Sequence, residues 1–151
     1  MLTKRDLLVA TLTGCTVLSV IALAQSQKPQ QPLMGSVAFD WKIIEVKPTK
    51  VGERRDFFQS PTATLDELEC HVTTVNPGEE PHAPHQHPDE ELMIVKDGTL
   101  EVLVNGEKKT VGPGSVVFQA SNQMHGIRNV GKTPATYHII RWKSPSMLKS
   151  K

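Results

Sequence analysis

From Leu65 onward, apolar and polar residues alternate in short runs that are separated by turn residues. An alternation with a period of two is typical of half-buried strands. Asn105-Gly106 suits a two-residue type I′ hairpin, because both residues tolerate positive φ. The predicted strands are Leu68–Val75, Ala83–His87, Glu91–Lys96, Thr99–Val104, Lys108–Val111, Ser115–Phe118, His125–Asn129 and Thr136–Trp142.

Short strands at this spacing, with no convincing helix between them, predict an all-β antiparallel sandwich or barrel. In the strand predicted to begin at Glu91, Met93 and Val95 share the face of Glu91, and Leu92 and Ile94 share the other. Both faces are largely apolar. One therefore lines the interior, and the other needs cover from the N-terminal segment or from a second copy of the chain. Cover by a second copy would make the protein a homodimer, and both kinds of cover stay open.

The first 24 residues predict an export signal. Lys4-Arg5 precedes the apolar run Leu7–Leu23, and Ala22-Leu23-Ala24 is a small-x-small cleavage site. Two alternatives stay open: an uncleaved membrane anchor, and lipidation at Cys15, because Leu12 to Cys15 resembles a bacterial lipobox. Thr3 to Leu8 resembles a twin-arginine signal with Lys4 in place of the first arginine. We expect an exported protein, periplasmic or secreted in a bacterium, with no stable membrane association after cleavage.

The chain that follows the leader has the length of one domain. The run Val37 to Val46 predicts a strand or strap against the body, and Arg54 to Phe58 predicts one short strand. The predicted organisation is a signal peptide at 1–24, a flexible linker at 25–36, N-terminal strands and loops packing on the barrel at 37–64, the barrel at 65–143 and a C-terminal tail at 144–151.

The composition is that of an ordinary globular protein, with 38% apolar and 22% charged residues. Removing Lys4, Arg5 and Asp6 with the leader leaves 15 basic and 15 acidic residues of the original 17 and 16. This balance gives no electrostatic reason to expect nucleic acid as a partner, so we expect a small-molecule ligand or substrate. Cys70 is the single cysteine of the body, which excludes a scaffold held by intrachain disulfides.

One cluster carries chemistry: His85, His87 and Glu91 fall within seven residues, and His125 begins a later predicted strand. Two histidines at i and i+2 project from the same face of a strand. Glu91 would lie roughly 13 Å further along a straight strand, so Pro88-Asp89 must turn the chain back. Three imidazoles and a carboxylate suit one divalent iron, manganese, nickel, copper or zinc ion. The predicted metal ligands are His85, His87, Glu91 and His125.

A solvated, His- and Pro-rich loop with a charged surface run is the alternative to this site. The strand pattern and the inward parity of Glu91 favour the metal. Among the other residues, we expect His82 at the surface, His71 and His138 as hydrogen-bonded or exposed strand residues, and Cys70 as a small buried residue. Tyr137, Arg128, Gln119 and Gln123 are candidates for a pocket, and the sequence does not choose among them.

Two segments around these histidines carry a family resemblance. The first cupin motif is matched by Gly78, His85, His87, Glu91 and Gly98, which resemble it in type and spacing. One spacing differs, since six residues rather than the usual five separate Gly78 from His85. The second cupin motif is matched by Gly114, His125 and Asn129 at the usual spacing. Ala120 and Asn122 stand where proline and glycine are usual, and Asn tolerates a left-handed backbone.

The resemblance implies a small double-stranded β-helix, or jelly-roll barrel, with the metal inside it. The expected function is a metal-dependent dioxygenase or other oxidoreductase acting on a small organic acid or phenol. A non-catalytic module that holds a small ligand or metal is one alternative, and a metal-dependent isomerase or lyase is the other.

Overall fold

The computed structural model describes residues 31–146, and its fold is that of the compact unit that begins at Pro32. Within these residues the chain forms strands and no helix, as the alternation predicts. The strands are β1 (Lys47–Thr49), β2 (Gly52–Ser60), β3 (Glu67–Val75), β4 (Glu90–Asp97), β5 (Leu100–Val104), β6 (Glu107–Val111), β7 (Val116–Gln119), β8 (Gly126–Asn129) and β9 (Ala135–Lys143).

The strands form two antiparallel sheets. One has the order β1-β2-β3-β9-β4-β7 and the other has the order β6-β5-β8. The Asn105-Gly106 turn between β5 and β6 has φ values of 53° and 78°, which the predicted hairpin requires. Asn122 also has a positive φ, 57°, so asparagine supplies the left-handed backbone for which glycine is usual. The all-β prediction is confirmed, and the two sheets are consistent with the predicted jelly roll.

The core lies between the two sheets. It holds Met93 and Val95 of β4, Leu100 and Val102 of β5, and Ile127 of β8, all at most 7% exposed. Residues of β3, β7 and β9 complete the same cluster. Because the apolar residues come from both sheets, their burial from water favours packing of one sheet on the other.

The parity predicted for β4 is confirmed. Glu91, Met93 and Val95 are buried, whereas Leu92 and Ile94 are only partly buried on the opposite face. On that outer face the N-terminal segment gives some cover, since Trp41 lies 6.3 Å from His138, the ladder partner of Ile94. Whether a second copy covers the rest stays a prediction.

The segment 37–46 packs on the body as an irregular strap and contains no strand. Its Phe39 stacks on Phe58 at 5.4 Å between ring centroids. Its Trp41 lies between two cations, with Lys96 Nζ at 3.9 Å and Arg55 Cζ at 4.5 Å from the ring centroid. Aromatic stacking and cation–π contacts therefore hold the strap in place of ladder hydrogen bonds.

One predicted strand is absent. Residues 83–87 make a single isolated bridge, between His85 and His125, in place of a continuous ladder. Pro84 and Pro88 flank this bridge, and a proline cannot donate to a ladder. In the opposite sense, β2 is longer than the predicted Arg54–Phe58, and it carries a bulge between Asp56 and Phe58.

Several predictions fall outside the described residues. They are the signal peptide at 1–24 with Cys15, residues 25–30 of the predicted linker, and residues 147–151 of the predicted tail. Residues 31–36 have no regular structure, and the amide of Met34 donates to the carbonyl of Pro61 at 2.9 Å. Across residues 31–146, no helix has the length and apolar character to cross a membrane.

Candidate metal centre

Three of the predicted ligands meet in the fold. His85, His87 and His125 each offer one ring nitrogen, and these atoms lie within 4.8 Å of one another, so the cluster can hold a metal ion. The His125 ring is 4.6 Å from that of His85 and 4.7 Å from that of His87, measured between centroids. The structure thus brings together residues that are some forty positions apart in sequence.

The isolated bridge joins the loop that carries His85 and His87 to the segment that carries His125. The amide of His85 donates to the carbonyl of His125, and the amide of His125 donates to the carbonyl of His85, each at 2.9 Å. One further hydrogen bond, from the Asn122 amide to the carbonyl of His87 at 2.8 Å, ties the loop to the segment before β8. The backbone therefore positions the histidines without a full strand at 83–87.

Backbone carbonyls also orient two of the rings. His87 Nδ1 lies 3.0 Å from the carbonyl of Asp89, and His125 Nδ1 lies 2.9 Å from that of Gln123. A carbonyl oxygen only accepts, so Nδ1 carries the hydrogen and Nε2 of a neutral ring keeps its lone pair. Outer contacts of this kind commonly orient metal-binding histidines. Nε2 of His125 is buried with no partner among the described residues.

The fourth predicted ligand, Glu91, lies beside the cluster. It is 8% exposed, and its Oε2 is 3.6 Å from Nε2 of His87. Glu90, its neighbour along β4, points elsewhere and accepts a hydrogen bond from Trp142 Nε1 at 3.1 Å. Strand parity therefore separates the two carboxylates.

The surroundings of His85 favour the form of its ring that binds metal. Burial lowers the pKa of His85, and the charges of His82, His125 and His87 lower it further. A lowered pKa favours the neutral imidazole, which is the protonation state that a metal ligand needs.

A second polar group faces the same cavity, and we call it the Glu69 wall: Arg54 of β2, Glu69 and His71 of β3, and Arg141 of β9. Glu69 Oε1 accepts from His71 Nδ1 at 2.9 Å and from Arg54 at 3.0 Å, and Oε2 accepts from Arg141. The hydrogen bond from His71, with the charges of Arg141 and Arg54, lowers the pKa of Glu69 to about 2 against the opposing effect of burial.

Strand register sets the separation between this wall and the metal cluster. Glu69 pairs with Arg141 across β3 and β9, and Arg141 pairs with Glu91 across β9 and β4. Adjacent strands lie about 4.8 Å apart, so the Cα atoms of Glu69 and Glu91 are roughly 10 Å apart with Arg141 between them.

The cavity between the two groups has a volume of about 290 Å³. Tyr137 closes its floor and is 2% exposed. Burial raises the pKa of the Tyr137 hydroxyl far above its usual value, although a hydrogen bond with Thr73 opposes the rise. The remaining lining residues are Pro81, His82, Ile127 and Ile139.

The Glu69 wall is what sequence reasoning missed. His71 lines the cavity. Its neighbour Cys70 is half-buried on the opposite face of the strand. The alternation Glu69-x-His71-x-Thr73 was the available signal for an inward polar face. Of the pocket candidates, Tyr137 lines the cavity, while Arg128 is exposed and donates to the carbonyl of Gly78.

A comparison with protein families matches residues 71–141 to the family described as Cupin domain. The match includes His85, His87, Glu91 and His125. A search of curated protein sequences gave no match.

Solved structures share the fold at low identity. KdgF from Halomonas sp. is 21% identical with a TM-score of 0.60, over 76% of this chain and 100% of that one. The polyketide cyclase RemF from Streptomyces resistomycificus is 19% identical with a TM-score of 0.58, over 79% and 88%. A sugar phosphate isomerase of the cupin superfamily from Silicibacter pomeroyi is 17% identical with a TM-score of 0.57, over 72% and 77%.

Proposed function

The chain belongs to the cupin superfamily, with its cupin domain at residues 71–141, and on this premise we propose that it binds one divalent metal ion and acts on a small organic acid or phenol. The proposed metal ligands are His85, His87, Glu91 and His125. The proposed substrate site is the cavity of about 290 Å³ between these residues and the Glu69 wall.

One observation carries the metal. Nδ1 of His87 is committed to a backbone carbonyl, so Nε2 of the neutral ring is an acceptor, and it faces the Glu91 carboxylate at 3.6 Å. Two acceptor atoms this close repel each other unless a proton or a metal cation lies between them. The buried, unpartnered Nε2 of His125 is a further acceptor in need of the same cation. Three nitrogens and one oxygen are a donor set suited to iron, manganese, nickel, copper or zinc.

The metal would serve as a Lewis acid for substrate oxygen atoms or, if it is redox-active, as the centre of oxygen chemistry. Iron, manganese, nickel or copper would make the protein a dioxygenase or another oxidoreductase. The chain's own contribution is a cavity lined mainly by polar and charged side chains, in which the proposed ligands would hold the ion.

A specific observation favours a second candidate, a metal-dependent isomerase or lyase. Both reactions need a group that moves protons, and His71 lines the cavity with its Nδ1 fixed on Glu69. The sugar phosphate isomerase and the polyketide cyclase share this fold, but at 17% and 19% identity they do not determine the reaction.

Elemental analysis of protein purified from its native host tests the proposal. We expect about one divalent ion per chain, and replacement of the histidine ligands should greatly reduce that metal content. Stoichiometric redox metal would support the oxidoreductase, whereas zinc with exchangeable water would support the isomerase or lyase. Four-coordinate zinc without water would indicate a non-catalytic module. Absence of stoichiometric metal would refute the metal site.

A further inference from the structure

We infer that His71 is the proton carrier of this cavity and that Glu69 is its positioning residue. The inference deepens the proposed function and rests on its metal site. It assigns the cavity two working halves, a metal half made by the three histidines and Glu91, and a proton half made by His71 on Glu69.

The partner of His71 fixes its tautomer. Glu69 accepts from His71 Nδ1 at 2.9 Å, and its carboxylate stays ionised because its pKa is about 2. An ionised carboxylate only accepts, so Nδ1 carries the hydrogen and Nε2 of the neutral ring has a free lone pair. No described residue hydrogen-bonds to Nε2, although the His71 ring lines the cavity.

The carboxylate of Glu69 is held rigidly. Glu69 is 6% exposed and is held by Arg54 and Arg141 as well as by His71. Its carboxylate therefore cannot rotate away without losing charge-assisted hydrogen bonds on both oxygens. A carboxylate that fixes the tautomer and the orientation of a histidine is the arrangement that general acid–base catalysis uses.

His71 is separated from the metal half in the sheet. Across the ladder His71 pairs with Ile139, and Ile139 pairs with Met93, so no predicted ligand neighbours His71 in the sheet. Both halves line one cavity of about 290 Å³, which is large enough for a small molecule. A ligand between them can lose a proton to His71 Nε2: its O–H bond breaks, the proton goes to the ring nitrogen, and the electron pair stays on the ligand oxygen.

Acetohydroxamic acid is a suitable probe, because it is a small chelator that loses a proton when it binds a divalent ion. Zinc-loaded protein is titrated with it at about pH 7.5, where an unperturbed histidine is mostly neutral. Calorimetry in HEPES and in Tris, whose ionisation enthalpies differ, counts the protons released to buffer. Wild type should release less than about half a proton per probe, because His71 retains the rest, and H71Q should release about one.

The control variant is H138Q, since His138 is a strand histidine beside Trp41 that does not line the cavity. It should release as few protons as wild type. The ¹⁵N spectrum of wild type gives a second readout that needs no variant: His71 should become doubly protonated when the probe binds. In E69Q, a larger fraction of His71 should carry its hydrogen on Nε2, a change that a purely structural role of Glu69 would not produce.

Metal content is measured on every sample first. Loss of zinc from wild type would refute the proposed metal site itself. Full zinc content with equal proton release from wild type and H71Q, or with an unchanged His71 spectrum, would refute the role of His71 alone. Failure of the probe to bind zinc-loaded protein would also overturn the inference, because no ligand would then lie within reach of His71.

Discussion

The two halves of the cavity are built in different ways. The metal half depends on a loop with no ladder of its own, in which one isolated bridge and two ring-to-carbonyl hydrogen bonds set the histidines. The proton half lies on three paired strands. Register places Arg141 opposite Glu69, and Arg54, whose ladder partner is Thr73, reaches Glu69 at 3.0 Å through its long side chain. The cavity therefore combines a cluster formed by one loop and the histidine bridged to it with a second cluster that exists only after the sheet forms.

This difference has an energetic side. The side chains of the loop histidines should contribute little to the free energy of unfolding, so their removal should alter metal binding more than folding. The Glu69 wall is an ion-pair network between strands, so its removal should alter folding more than metal binding.

The His87→Ala variant should lose most of its metal while its strands persist. Loss of a ligand should exceed the roughly tenfold cost in affinity that follows loss of a ligand's outer contact. Elemental analysis after dialysis measures the metal, and circular dichroism measures the fold. His138→Ala is the matched control, since His138 lies outside the cavity. Unchanged metal content in His87→Ala would remove this residue from the site.

Acidification should release the metal from wild type, because protons compete with it for the imidazoles. Burial lowers the pKa of His85, so in the metal-free protein this ring should resist protonation to a lower pH than an ordinary histidine does. Equilibrium dialysis of zinc-loaded protein, from neutral pH to about pH 4, measures the occupancy. Equal occupancy across that range would contradict three histidine ligands, given the reference histidine pKa of about 6.5.

The Glu69→Gln variant should be less stable than wild type near neutral pH by about 1.5–3 kcal/mol, the cost of losing hydrogen bonds to a charged group. The folded pKa of Glu69 is about 2 and its ordinary value is 4.5, so its contribution is complete above pH 4.5 and is lost as the pH falls towards 2. The difference in unfolding free energy between the two proteins should shrink over that window.

Urea unfolding with a chelator present measures this difference without interference from metal. Glu67→Gln is the matched control on the same strand, because Glu67 pairs with Lys143 at 2.8 Å but is more exposed. Its cost should be within about 1 kcal/mol. A wild-type to Glu69→Gln difference that is constant with pH would contradict the role assigned to the Glu69 charge.

The smallest effect is expected for His82→Ala. His82 lies against His85, with 4.3 Å between ring centroids, but its Nδ1 contacts the carbonyl of Ala83 and no ligand atom. Metal content should therefore stay well within the tenfold loss typical of an outer contact. A loss comparable to that of His87→Ala would place His82 inside the metal half and extend the motif by one residue.

The sequence alone predicts the meeting of His85, His87 and His125, while the assignment of Glu91 as a fourth ligand stays a prediction. The spacing of His85, His87 and Glu91 and the alternation of β4 are local patterns, and they survive even though residues 83–87 form a bridge in place of the predicted strand. The strand predicted at 83–87 is wrong because Pro84 and Pro88 lack the backbone N–H groups that a ladder needs, and side-chain alternation does not take this loss into account.

The proton half was not predictable in the same way. Glu69 and His71 alternate correctly for an inward face, but the neighbouring Leu68, Cys70 and Val72 are apolar and suggest the opposite orientation. Arg141 carries no local signal at all. Its place between Glu69 and Glu91 follows from the register of β9 against β3 and β4, and pairing partners so distant in sequence cannot be derived from periodicity.

The reciprocal bridge between His85 and His125 has a consequence for how the protein could be handled at the bench. Its two backbone hydrogen bonds, with the ring contacts to Asp89 and Gln123, set the histidines by main-chain groups that need no ion. In a zinc finger, by contrast, metal binding supplies the folding energy. Here one ion should be removable and another introduced in the folded state, so that cobalt or copper could serve as a spectroscopic reporter of the coordination sphere.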